Sequence, residues 1–157
     1  AHPHSYAVAR TAQQAGQALV ANLPEDLPAV LAPAEDLEAI VVNLLDNALK
    51  YTPAGGVVKI DALAIGGTLR LCIEDNGPGI PAEDLDHIFD RFYRVDKARS
   101  RQTHQTGERA GSGAGLGLSI VRSLVEIYGG SIQVASIFGR GASFTVLLPA
   151  APSPGAP

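Results

Sequence analysis

The chain has no methionine, not even at its first position, and reads as a processed chain or a cut from something larger. It has a single cysteine, Cys72, set in an apolar run, which excludes a disulfide framework and a cysteine-based metal site. A reducing, cytoplasmic setting is then the default expectation. No apolar stretch reaches eighteen residues and no signal peptide is present, so no spanning helix is expected. Cations are also in the minority. Lys and Arg total 12 against 16 Asp and Glu, and the net charge of −4 argues against general nucleic-acid or membrane-surface binding. What is present suits one domain with a proper core: 157 residues, 46% of them hydrophobic.

The pattern along the chain is mixed. Residues 5–16 form a weak helical segment, and "QALVANL" (17–23) and "PAVLA" (28–32) read as short strands around a proline-acidic turn. Asp36 is a candidate cap for a strong helix in which Leu37, Ile40, Val41, Leu44, Leu45, Ala48 and Leu49 line one stripe of 3.6-residue period. "TPAGG" stops it. Two strands follow, "VVKIDALAI" and "TLRLCIED", joined at Gly66-Gly67. After "NGPGIP" come a short acidic helix (82–89), a polar stretch (90–112) and a helix over 115–128 whose shared face is Leu116, Ile120, Leu124 and Ile127. Gly129-Gly130 end that helix, two last strands flank "FGRG", and the tail "PAAPSPGAP" is expected to be disordered. The sum is an α+β sandwich: a mixed sheet of about five strands with helices on one face.

Three stretches do not fit simple folding logic. In "NLLDNALKYT" (43–52), Asn43, Asp46, Asn47 and Lys50 gather on one stripe away from the apolar one. A solvated face accounts for charge, but Asn is a poor helix former and two of them one turn apart lower helix propensity without a packing return. Amide oxygens suit a hard cation such as Mg²⁺, and a lysine one turn on suits phosphate. "DNGPG" (75–79) ends a strand in a carboxylate and a loop without bulk, which serves either as a capped turn or as an approach for a flat ligand. "GSGAGLGLSIV" (111–121) leads glycine into a helix, either a hinge or an anion site of bare backbone amides. Between them, Arg91, Arg94, Lys97, Arg99, Arg101 and Arg109 hold half of the 12 cations, as a solvated loop or as a partner for triphosphate.

Taken together and in this order, these motifs resemble the catalytic and ATP-binding domain of two-component sensor histidine kinases, within the GHKL superfamily shared with gyrase, Hsp90 and MutL. "NLLDNALKYT" looks like the N box, "DNGPG" the G1 box, "FDRFYR" (89–94) the F box and "GAGLGL" (113–118) the G2 box, and "GGSIQVAS…GRGASFTVLLP" is similar to the closing strands. The resemblance implies a Bergerat-type two-layer sandwich, mainly antiparallel, spanning 17–149. It further implies a mobile lid at about 92–114, a linker end in 1–16 and a free tail at 150–157.

The same resemblance assigns roles. Asn47 would coordinate Mg²⁺ that bridges the phosphates of ATP, with Asn43 close by. Lys50 would contact phosphate and Tyr51 would lie against the nucleotide ring. Asp75 would accept from the adenine amino group, while Gly77, Gly79 and Ile80 shape the base pocket. Arg94 and Arg99 would contact phosphate from the lid, and Gly113, Gly115 and Gly117 would carry phosphate-facing backbone. Leu116 or Leu118 would pin the lid, and Phe89 and Phe92 would pack its base. Asn43 stands where the related ATPases carry Glu as the base that activates water, so phosphoryl transfer to another nucleophile is expected over hydrolysis.

Two features depart from the family. Ala114 replaces a residue that is often polar, and none of His2, His4, His87 and His104 has the phosphoacceptor's sequence context. The expected partners are therefore a histidine-containing dimerisation domain, in a parent chain or a separate subunit, and a response regulator. No nucleic acid and no direct membrane contact are expected, even where a parent kinase is membrane-anchored. The alternatives are a GHKL ATPase or serine kinase, and a non-catalytic nucleotide-sensing module.

Overall fold

The computed structural model describes residues 16–24, 27–92, 117–137 and 139–151. Strand β1 (Ala18–Asn22) precedes helix α1 (Ala34–Tyr51), the hairpin β2 (Val57–Ile65) and β3 (Thr68–Asp75), and the short helix α2 (Ala82–Leu85). Helix α3 (Gly117–Ile127) and the hairpin β4 (Ser131–Ile137) and β5 (Gly141–Pro149) complete the chain order. The five strands form one sheet in the order β1-β2-β3-β5-β4. Only the β1–β2 pair is parallel, so the sheet is mixed and mainly antiparallel, as expected.

Alternation sets the two faces of the sheet. Val58, Ile60 and Ala62 on β2, Leu69, Leu71 and Ile73 on β3, and Phe144, Val146 and Leu148 on β5 are buried on the inner face. Against them pack Ile40, Leu44, Leu45, Ala48 and Leu49 of α1 and Val121 and Val125 of α3. Each fully buried side chain of this size stabilises the fold by about 1.5–3 kcal/mol relative to exposure. The stripe expected on α1 is therefore the stripe that is buried, with Leu37 and Val41 at its margin.

Several local expectations differ from the structure. Asp36 does not cap α1. The helix enters through Pro33, whose carbonyl accepts from the Asp36 and Leu37 amides, and Asp36 instead accepts a hydrogen bond from the Tyr128 hydroxyl at the end of α3. Residues 28–32 form no strand. Val30 makes one isolated bridge to Ala150, because Pro28 and Pro33 remove ladder donors on either side. The acidic helix ends at Leu85 and continues as turns bonded three residues apart, His87 to Asp84 and Asp90 to His87. On α3 the buried residues are Ser119, Val121 and Val125, whereas Ile120 and Ile127 are 44% and 70% exposed. This helix is apolar on two sides, and periodicity cannot choose between them; contact with α1 and the sheet does. The expected helix before Gly16, and residues 115–116 of the expected later helix, lie outside the described residues.

Candidate functional site

The polar stripe of α1 is not simply a solvated face. Asp46 and Lys50 are exposed, but Asn43 and Asn47 are half-buried. The Asn43 Nδ2 donates to the Ala39 carbonyl one turn earlier at 2.7 Å, which leaves Oδ1 as the atom it presents outward. That oxygen lies 3.2 Å from the point a Cβ on Gly117 would occupy, so the middle of α1 closely approaches the start of α3 at a position without a side chain. A carboxamide oxygen held in this way fits a hard cation. No group of three or more His, Cys, Asp and Glu suited to a metal occurs among the described residues, so a cation here would draw on amide oxygens and on its ligand's own phosphates.

The C-terminal end of α1 is fastened from outside the helix. Thr52 Oγ1 donates to Ala48 O at 2.7 Å, and Gln17 Nε2 donates to Leu49 O at 2.6 Å and also to Thr52 O. Both side chains are buried. They add side-chain donors to the carbonyls at the end of the helix, where Leu49 O also accepts from the Thr52 amide, and they hold the backbone that carries Lys50 and Tyr51. Tyr51 closes the helix, half-buried.

The third wall comes from the end of β3. Asp75 is the last residue of that strand, half-buried, and its Oδ1 accepts from the Gly77 amide at 2.9 Å. Burial raises its pKa above the ordinary 3.8, and hydrogen bonds from the Gly77 and Ala142 backbone amides oppose part of that rise. Gly77 is confined by contact: a Cβ there would stand 2.8 Å from Tyr51 O. The loop after β3 thus touches the end of α1 in a way only glycine permits. Gly79 has φ +77°, and a Cβ on it would meet Ile137 O at 2.6 Å. Ile80 is partly buried against the core, as is Leu118 beside Gly117.

The structure brings Asn43 to Gly117 and, two turns further along α1, Tyr51 to Gly77 and Asp75. Phe89 packs edge-on against Phe144, with centroids 6.4 Å apart, and the Arg122 guanidinium lies 5.8 Å from its ring centre. Phe92 does not share this packing. It is 66% exposed with φ 65°, because the chain has already left the core by a tight turn. Arg94, Arg99, Gly113, Ala114, Gly115 and Leu116 lie outside the described residues.

Three contributors were missed from the sequence. Gln17 and Ser136 act through side chains, and Ala142 through its backbone amide, which no side-chain pattern reveals. Ser136 carried a usable signal as the one hydroxyl in the inward series Ile132, Val134, Ser136.

Residues 32–152 match the sequence family described as histidine kinase-, DNA gyrase B- and HSP90-like ATPase. The chain is 39% identical over 132 residues to the sensor histidine kinase WalK of Bacillus subtilis (strain 168), covering 83% of this chain and 20% of WalK. It is 37% identical over 130 residues to the adaptive-response sensory kinase SasA of Synechococcus sp. (strain JA-2-3B'a(2-13)), covering 82% of this chain and 32% of SasA. The chain thus spans about a fifth to a third of these curated relatives. Among solved structures, full-length ShkA in complex with AMPPNP superposes with a TM-score of 0.78 at 31% identity, over 96% of this chain and 29% of that one. The mycobacterial sensor histidine kinase MprB superposes with a TM-score of 0.76 at 30% identity, over 96% of this chain and 93% of that one.

Proposed function

The chain belongs to the histidine kinase-, DNA gyrase B- and HSP90-like ATPase family, and on that premise we propose that it is the ATP-binding catalytic module of a sensor histidine kinase. Residues 17–149 form the module, and 1–16 are the end of a linker from a dimerisation domain. The observation that carries the reading is the pair of contacts made by one helix. Asn43 Oδ1 faces Gly117 at the start of α3, and two turns on Tyr51 meets Gly77 beside Asp75. About 12 Å of helix separates these contacts, and they divide the groove into a phosphate end and a base end.

At the base end, the Asp75 carboxylate accepts from the exocyclic amine of adenine, Tyr51 lies against the ring, and Gly77, Gly79 and Ile80 line the pocket. At the phosphate end, Asn43, Asn47 and Lys50 meet the triphosphate from α1, while Gly113, Gly115 and Gly117 present backbone amides and Leu118 seats the start of α3 on the core. Arg94 and Arg99 stabilise the negative charge on the moving phosphoryl group. A Mg²⁺ ion held by Asn47, with Asn43 alongside, would neutralise charge on the β- and γ-phosphates.

The chemistry follows from what Asn43 lacks. A carboxamide cannot take a proton from water, so the groove positions ATP without activating a hydrolytic nucleophile. A histidine nitrogen on the dimerisation domain forms the new N–P bond as the bond from the γ-phosphorus to the bridging oxygen breaks, and ADP departs. The phosphohistidine then supplies an aspartate on a response regulator.

The test is nucleotide titration followed by transfer. Wild type is expected to bind ATP in the presence of Mg²⁺ and to pass label from γ-labelled ATP to a supplied histidine domain. Asn47→Ala is expected to weaken binding by about tenfold or more, on the order of 1.4 kcal/mol. Affinity that is unmeasurable in the folded wild type, or indifferent to Asn47→Ala, overturns the site. Binding without labelling of any supplied histidine domain leaves only a nucleotide-sensing module.

A further inference from the structure

We propose that Ser136 is a positioning residue for the base end of the groove, through which the β4–β5 hairpin holds the loop that follows β3; this rests on the nucleotide reading above. The loop has two halves with different supports. Its near half is held by β2 and β3: Asn76 exchanges hydrogen bonds with Val57, its Oδ1 accepting from Val57 N at 2.7 Å, and Gly77 N donates to Asp75 at 2.9 Å. Its far half, Pro78 to Ile80, is supported by the hairpin 56 residues later in the chain. Ile80 N donates to Ser136 Oγ at 2.7 Å, and the hydroxyl's own hydrogen faces Gly141 O at 3.1 Å, with Ile80 O at 3.4 Å as a weaker acceptor. Gly139 N donates to Pro78 O at 2.5 Å beside it.

Ser136 stands at an inward position of β4 where Ile132 and Val134, four and two residues earlier, pack on the core. An apolar side chain there would extend that packing. The hydroxyl instead joins the amide of Ile80 to the carbonyl of Gly141, two backbone groups that it satisfies at once. Gly79 leaves no slack between the two segments, since its Cβ would lie 3.0 Å from Ser136 Oγ and 3.1 Å from Gly141 O. Gly141 is next to Ala142, whose amide bonds Asp75. One hydroxyl therefore ties the far half of the base loop to the strand that orients the base-reading carboxylate. Neither Asn43 nor Asn47 shares these bonds, so its effect belongs to the base and not to the triphosphate.

The test compares the affinities of ATP and inosine triphosphate, which carries a carbonyl where adenine has the amine that Asp75 accepts from. Both are measured by calorimetry with Mg²⁺ on wild type, Ser136→Ala and Asn47→Ala, alongside thermal melts. Ser136→Ala is expected to lower ATP affinity about tenfold, the scale of a part-buried hydrogen bond lost with its partners left unmatched, and to reduce the preference for ATP over inosine triphosphate. Asn47→Ala is expected to weaken both nucleotides alike and leave the preference intact. Equal weakening of both nucleotides by Ser136→Ala, or no change in either, overturns the proposal and reduces Ser136 to a structural tie. Failure of wild type to bind ATP overturns the nucleotide reading itself. Should Ser136→Ala not fold, Ser136→Cys, of similar size but a weak donor and acceptor, takes its place with the same outcomes.

Discussion

Asp75, the residue proposed to read adenine, gives up part of its own solvation at the end of β3. Its carboxylate is half-buried, and burial raises its pKa while two backbone amides pull the other way. Below the ordinary 3.8 the group is neutral in both the folded and the unfolded chain. Between that value and the raised native one, the folded chain holds the proton more tightly. The stability that this contributes is lost as pH rises through the window. Asp75→Asn keeps an oxygen for the Gly77 amide but carries no charge. In the absence of nucleotide it is expected to melt no lower than wild type at neutral pH and to lose that part of the pH dependence, as thermal melts across the acidic range will show. Adenine recognition runs in the opposite direction. A protonated carboxyl is a poorer acceptor for the amine, so ATP affinity is expected to fall as pH drops through the same window, and to be weak at every pH in Asp75→Asn.

Among the elements, α1 carries most of the proposed nucleotide contacts and is held at its C-terminal end by a side chain from outside the helix. Its apolar stripe was legible because seven residues repeat at helical spacing with no competing stripe. Its polar stripe was legible because two asparagines in a helix are a propensity cost that folding does not explain. Neither pattern reveals what holds its last turn. Gln17, from the segment that enters β1, donates to Leu49 O and Thr52 O while its own Oε1 is buried without a partner among the described residues. Gln17→Leu removes both donors and also that unmatched oxygen. It is expected to destabilise the fold by about 1–3 kcal/mol, read as a lower urea midpoint, and to weaken ATP binding through displacement of Lys50 and Tyr51. A midpoint equal to wild type would show that the last turn needs no such fastening. Helix α3 is the contrary case. Its sequence offers two apolar faces, and the one expected to be buried includes Ile120 and Ile127, which are exposed.

For the whole molecule, the proposed groove lies where α1, the loop after β3 and the start of α3 converge, and the chain's single cysteine, Cys72, is free. Ligand binding then supplies stability directly, by RT ln(1 + [L]/Kd), which is about 2.7 kcal/mol at a hundredfold excess over Kd. For a chain of this size that corresponds to roughly 5–10 °C in Tm. Mg²⁺ with a non-hydrolysable ATP analogue is expected to raise the melting midpoint of wild type by about that much. The shift is expected to fall to about half with Asn47→Ala at the same concentration, because a tenfold weaker Kd leaves about 1.4 kcal/mol of linkage, as differential scanning fluorimetry would report; an equal shift in both would remove Asn47 from the site.

The amino-acid sequence alone determined the strands of both hairpins, the buried face of α1 and the identity of the motif residues. Each of those is written in local spacing: period two for a strand, period 3.6 for a helix, glycine where backbone must pass close. Tertiary structure alone decided which face of α3 is buried. It also decided that Gln17, Ser136 and the Ala142 amide serve the site from distant parts of the chain. Those outcomes depend on contacts between segments tens of residues apart, and a backbone amide or a lone buried side chain leaves no periodic trace for a sequence to carry.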